Sequence, residues 1–218
     1  MEEIQSSIQK INQNSKTTAA ITLITRAAML QGFLQYGDYY RLKSQIKPKR
    51  AHYDIRVPSD EEMRQTISRL EEHHQIAFKM LLYSGIRVSE LQYLFSNIDK
   101  LRVQKLDGFA KITLDWNRGS KSAFFVYLPL GLLSEINKAQ NKLSGLQTRL
   151  KKLKLVPAKY ARKYFAQKCL EAGIKSEVID FYQGRSPRSI LFRHYANLQV
   201  FADADYGKVS ARIREVLG

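Results

Sequence analysis

The chain has 218 residues, room for one domain of ordinary size or one domain with a smaller appendage. Hydrophobic residues make up 44%, enough to build a core, which excludes wholesale disorder. Lys and Arg number 36 against 20 Asp and Glu, a formal charge of +16, and this excess points to a polyanionic partner: nucleic acid first, an anionic membrane surface second.

Residues 1–14 are polar and rich in Gln and Asn, and read as a frayed helix or a tail. Over residues 16–45 the apolar positions Ala20, Leu23, Ile24, Ala27, Leu30, Phe33 and Leu34 have helical spacing, with a break expected at Gly37. Lys47-Pro48-Lys49-Arg50-Ala51-His52 is basic and proline-containing. The expected organisation is an N-terminal helical segment over 1–48, a basic linker over 49–57 and a main domain over 58–218.

Ser59-Asp60-Glu61-Glu62, just after Pro58, has the spacing of a capping box, so a helix is expected from there to about Tyr83, stopped by Gly85. A short helix follows over 88–95. Residues 108–128 change period. Ala110, Ile112, Leu114 and Trp116 alternate with Lys111, Thr113 and Asp115, which predicts a strand with one face on the core. Asn117-Arg118-Gly119-Ser120 is turn chemistry, and a second strand runs over 123–128 to Pro129. Helical pattern resumes from Gly131 to Leu155, again from Pro157 to Gly173, and over 175–183 to Gly184. Pro187 opens a further helix through Phe201, and 209–217 is a last amphipathic turn or two. The expected fold class is α+β: mainly α-helical with a small antiparallel β-hairpin or sheet.

The chemistry available is narrow. One cysteine, Cys169, excludes an internal disulfide and a cysteine-based zinc site. His52, His73, His74 and His194 form no H-E-x-x-H pattern, so no metal and no other cofactor is expected. No apolar run approaches the ~18 residues of a membrane span, and Met1-Glu2-Glu3-Ile4-Gln5 is unlike a signal peptide. A soluble protein of the cytoplasm is expected, without a membrane partner.

Five places can carry chemistry. Gly85 turns the chain sharply and presents Arg87 at the start of the next helix, where an oxyanion is favoured; the ordinary reading is a surface or ion-pair arginine. Lys121 follows the hairpin turn, where a lysine can donate a proton or hold a phosphate, or simply be solvated. Lys159 and Arg162 are three apart on a helix and share a face, either an anion site or a solvated basic face. Arg185 follows the helix-closing Gly184. Tyr195 follows His194 in an apolar-periodic helix, where a core tyrosine is the ordinary reading. The stretch 138–168 is basic, and Lys142, Arg149, Lys151, Lys152, Lys154 and Lys163, with Arg188 beyond it, are candidate phosphate contacts.

In this order the five places resemble the catalytic domain of the tyrosine recombinases. Ser84-Gly85-Ile86-Arg87-Val88-Ser89-Glu90-Leu91 is similar to that family's first arginine box, T/S-G-x-R-x-S-E-L. Ile179-Asp180-Phe181-Tyr182-Gln183-Gly184-Arg185-Ser186-Pro187, followed by His194-Tyr195, resembles the branch of archaeal virus and plasmid integrases. The resemblance covers roughly residues 58–205 and implies a tyrosine-recombinase catalytic-domain fold. It also implies a site-specific recombinase or integrase that cleaves and rejoins double-stranded DNA at an attachment site through a 3′-phosphotyrosyl link, as a homotetramer on two duplexes. Carried over, Tyr195 is the nucleophile and Arg87 the first arginine. Lys121 is the hairpin lysine, Lys159 and Arg162 fill the His-x-x-Arg box, and Arg185 fills the histidine position of the Leu-Gly-His box. Lys159 and Arg185 depart from the wider family and match the archaeal branch.

Full members of the family pair this domain with an N-terminal helical domain, and residues 1–48 read as the end of such a domain. A type IB topoisomerase shares the chemistry and is the near alternative. A non-catalytic DNA-binding protein whose basic helices touch phosphates alone is the other, and a covalent DNA adduct separates it from both enzymes. The helix over 209–217 either docks on a neighbouring subunit or packs on its own domain.

Overall fold

A computed structural model describes residues 15–45, 54–118, 121–139, 143–185 and 197–218. The chain divides into two compact units, residues 1–55 and 56–218. In the first, helices α1 (Ser15–Leu30) and α2 (Tyr36–Gln45) pair, with Tyr39 and Leu42 buried. The break expected at Gly37 lies earlier: Gly32 takes the left-handed φ of 77°, and Gly37 sits inside α2.

The second unit opens with the capping box. Ser59 Oγ accepts from the amide of Glu62 at 3.2 Å, and Glu62 reaches back to the amide of Ser59 at 2.8 Å. It launches α3 (Asp60–Ser68), which ends early; α4 (Glu72–Ser84) restarts after Glu71, so the single expected helix is two. Helix α4 is the centre of the core. Phe78, Met80, Leu81 and Leu82 are all fully enclosed, as in a helix covered on every side. After α5 (Val88–Asn97) and a 3-10 turn comes an antiparallel sheet of order β1-β2-β3: β1 (Arg102–Lys105), β2 (Phe109–Arg118) and β3 (Lys121–Pro129). Strand β1 was not expected, because all four of its residues are exposed and no alternation marks it. Between Thr113 and Trp116 the β2–β3 register shifts, with Asp115 at a φ of 43°, a bulge that bends the hairpin.

The alternation along β2 fails at Lys111. It is buried, and its Nζ bonds Asp203 at 2.5 Å while the hydroxyl of Tyr127, its register partner on β3, donates to the same carboxylate at 2.6 Å. Residues 130–139 and 143–152 form short pieces: α6 (Leu130–Ser134), α7 (Ile136–Ala139), a 3-10 turn and α8 (Leu146–Lys152). Helices α9 (Lys159–Glu171) and α10 (Ser176–Tyr182) end near Gly173 and Gly184, both at positive φ. The helix expected from Pro187 falls largely outside the described residues. From Leu198 a single helix, α11 (Leu198–Leu217), runs on unbroken. Its Tyr206, Val209 and Ile213 are fully buried, so this helix packs on its own domain.

Candidate active site

Gly85 ends α4 at a φ of 65°, and its amide closes the helix on Leu81 O at 3.0 Å. A Cβ here would lie 2.3 Å from Phe165 Cδ1, so both the turn and the approach of α9 require glycine. Two residues later Arg87 is the N-cap of α5. Glu90, three residues on, accepts from the Arg87 amide at 2.7 Å through Oε2 and pairs with the Arg87 guanidinium through Oε1. Glu90 is buried, an anion enclosed beneath the arginine.

From α9, Arg162 reaches the same point. Its Nη1 donates to Gly85 O at 3.0 Å and lies 3.8 Å from Glu90 Oε2. Its Nη2 donates to Gln183 O at 2.5 Å, and Gln183 Nε2 donates back to Arg162 O at 2.9 Å. Arg185 follows Gly184 and pairs with Asp180 at 3.2 Å. Burial and then the positive field of Arg87 push the Arg162 guanidinium down to about 9, with Arg185 adding to the fall and Glu90 and Asp180 opposing it. Three cations against two carboxylates leave 3 − 2 = +1 at this point, where a phosphate would relieve the repulsion.

Residues 55–212 match the family described as archaeal phage integrase. The chain belongs to this family. No curated protein matches the chain. Its activity is therefore of the integrase and recombinase class, and its partner is DNA. Among the described residues no helix is long and apolar enough to cross a membrane.

The integrase thus brings three of the expected catalytic residues, Arg87, Arg162 and Arg185, into one electrostatic cluster. Lys159, expected on the same helix face as Arg162, is exposed at the first turn of α9, with Nζ 4.6 Å over the Tyr160 ring. Lys121 opens β3 in register with Arg118. Tyr195, Arg188 and Lys142 lie outside the described residues. Of the expected phosphate contacts, Lys151, Lys152 and Lys154 are exposed on and just after α8. Lys163 packs 5.3 Å over the Tyr160 ring and donates to Arg56 O at 3.3 Å. Arg149 is engaged internally: it pairs with Glu71 at 3.1 Å, which satisfies part of the charge that the sequence offered to DNA.

Three residues that hold the arginines are given no role of their own in the sequence motifs that contain them. Glu90 had a signal, its capping-box distance of three from Arg87. Asp180 and Gln183 lie in the stretch leading up to Arg185; Asp180 pairs locally with Arg185, while the bonds of Gln183 to Arg162 depend on how α9 and α10 pack. The structure also gathers Glu71, His73 and His74, whose possible ligand atoms lie within 4.8 Å of one another. The adjacent Arg149 guanidinium and the N-terminal end of α4 both oppose a cation there.

Proposed function

We propose that the integrase cleaves and rejoins double-stranded DNA through a 3′-phosphotyrosyl intermediate, with Tyr195 as nucleophile. The convergence of Arg87, Arg162 and Arg185 on one point, with net positive charge, carries this reading. Phosphoryl transfer builds charge on the non-bridging oxygens. Guanidinium groups fixed by the protein, Arg162 against two backbone carbonyls and Arg87 and Arg185 against Glu90 and Asp180, stabilise that charge without reorganising.

The Tyr195 oxygen attacks the scissile phosphorus and its proton passes to water. The phosphorus–5′-oxygen bond breaks, and the departing 5′-oxygen takes a proton from Lys121 at the start of β3. The phosphodiester bond energy is kept in the tyrosyl link, so an incoming 5′-hydroxyl reverses the step without consuming a nucleotide. Lys159 assists at the phosphate, and Lys151, Lys152, Lys154 and Lys163 follow the duplex backbone, joined by Lys142 and Arg188. Four protomers assemble on two attachment sites in the host cytoplasm to integrate or excise a mobile element.

The test is incubation with a nicked duplex followed by denaturing electrophoresis. A protein–DNA species that survives denaturation and disappears in Tyr195→Phe is expected. Cleavage that yields free DNA ends and no such species would overturn the tyrosine route.

A further inference from the structure

We infer that Gln183 is a positioning residue for strand cleavage, acting by fixing the fork of Arg162. The inference rests on the reading of Arg162 as a phosphate-binding group. Gln183 is buried at 1% exposure and caps α10. Its own amide closes α10 on Ile179 O at 3.1 Å. Its carbonyl takes Arg162 Nη2, and its side-chain Nε2 takes the Arg162 carbonyl. The guanidinium is thus bonded by the Gln183 main chain, and the Gln183 side chain, by donating to the Arg162 carbonyl, sets where that main-chain carbonyl lies against α9. With Gly85 O on Nη1, two of the five guanidinium N–H bonds are committed, and the orientation of the rest is set.

The amide orientation is fixed by chemistry. Arg162 O is an acceptor, so the side-chain atom 2.9 Å from it must be the NH2 group. That leaves Oε1 buried and accepting no hydrogen bond among the described residues. Stability alone does not favour this choice. The Arg162 carbonyl lies inside α9 and already has a helical partner, so the Gln183 amide adds a second bond while burying an unfilled acceptor. An apolar residue of the same size would fill the space without that cost. A group that lowers stability and grips the central arginine is expected where geometry at the phosphate matters more than folding.

The test uses the full chain and a duplex selected from a randomised pool by wild-type cleavage. Gln183→Met and Gln183→Leu should keep a thermal midpoint at or above wild type and a duplex affinity within about two-fold of it. Strand cleavage should slow by about 10- to 100-fold, the scale of a misoriented catalytic group. In an Arg162→Lys background, where the fork is already lost, the same substitutions should add almost nothing. Cleavage at the wild-type rate overturns the inference. So does a loss that is undiminished in Arg162→Lys, or one that tracks a lowered midpoint or a weakened affinity. Cleavage is scored by strand length, so finding no protein–DNA link would refute the tyrosine route while the same rates still decide the role of Gln183.

Discussion

The carbonyl of Gly85 accepts the Nη1 hydrogen bond of Arg162 at 3.0 Å, and the missing Cβ of that glycine makes room for Phe165, one turn of α9 further on. The residue that turns the chain toward Arg87 is thus also the floor on which the second arginine rests. Gly85→Ala should act on both. The left-handed φ of 65° costs an L-residue about 1–2 kcal/mol, and overpacking against the aromatic ring costs about 1–3 kcal/mol more. The Arg162 fork would shift with the carbonyl, so cleavage should be lost even at temperatures where the variant is folded. Urea denaturation beside a cleavage assay measures the two effects. A variant as stable and active as wild type would remove Gly85 from the site.

What was legible in the sequence was local. Ser59 and Glu62 specify their capping box within four residues, Gly85 and Gly184 announce their left-handed turns, and the alternation from Ala110 to Trp116 gives the hairpin. The arginine positions were legible as motifs, though not as a cluster. What was missed depends on partners far along the chain. Lys111 looked like the outer face of a strand because Asp203, 92 residues away, covers that face. Arg149 looked available to DNA because Glu71 is brought beside it only when α8 packs near α4. The sequence reads as one helix through Phe201 and a separate one over 209–217, but the buried Tyr206 and Val209 hold a single helix through Gly207, where a Cβ would meet nothing.

Lys111 and Asp203 give a second prediction. The lysine is buried and the carboxylate about a third exposed, so each is the main reason the other is tolerated. Asp203→Ala strands a buried ammonium and the Tyr127 hydroxyl, and should cost about 3 kcal/mol, the low end for a broken buried pair. Lys111→Met combined with Asp203→Asn removes both charges and leaves Tyr127 an acceptor, so it should recover most of that loss. Guanidinium denaturation of the single and double variants decides. An equal loss in both would mean that packing of α11 on the sheet, not the charge, sets the cost.

Acid should unfold the domain by way of the α3–α9 contact. Asp60 accepts from the Tyr164 hydroxyl and pairs with Lys168, both at 2.8 Å, while Lys168 also holds Glu171 at 2.9 Å. Burial would raise the Asp60 carboxyl, but the Lys168 and Tyr164 hydrogen bonds outweigh it and hold it below its ordinary value. Lys168 lowers Glu171, and the Ser59 amide and then Arg56 lower Glu62. Carboxyls that bind protons less readily folded than unfolded stabilise fully above the ordinary carboxylate value of about 4, and lose that stabilisation as pH falls through their folded values. The thermal midpoint should therefore drop steeply below about pH 4, and Asp60→Asn should flatten that limb while lowering the midpoint at neutral pH. A limb of unchanged slope in Asp60→Asn would place the acid sensitivity elsewhere.

The two tyrosines nearest the C-terminus should separate folding from chemistry. Twelve tyrosines are present, and the distance of Tyr195 from Arg185, ten residues, resembles the spacing of the tyrosine recombinases, which that of Tyr206 does not. In the sequence, Asp203 and Asp205 beside Tyr206 would repel both a phosphodiester and a phenolate. The structure supplies a stronger one. Tyr206 is fully enclosed, its hydroxyl lies 3.1 Å from both Tyr83 O and Tyr127 O, and burial raises its phenol far above the ordinary value. A phenolate there is inaccessible to a phosphodiester and costly to form. Tyr206→Phe deletes one buried hydroxyl and leaves two carbonyls short of a donor. It should lower stability by about 1 kcal/mol and leave the covalent adduct intact. Tyr195→Phe should do the reverse, with stability and duplex affinity near wild type and no adduct. Peptide mapping of the trapped complex checks the pair: DNA on the peptide that carries Tyr206, or adduct formed by Tyr195→Phe, would reverse the assignment.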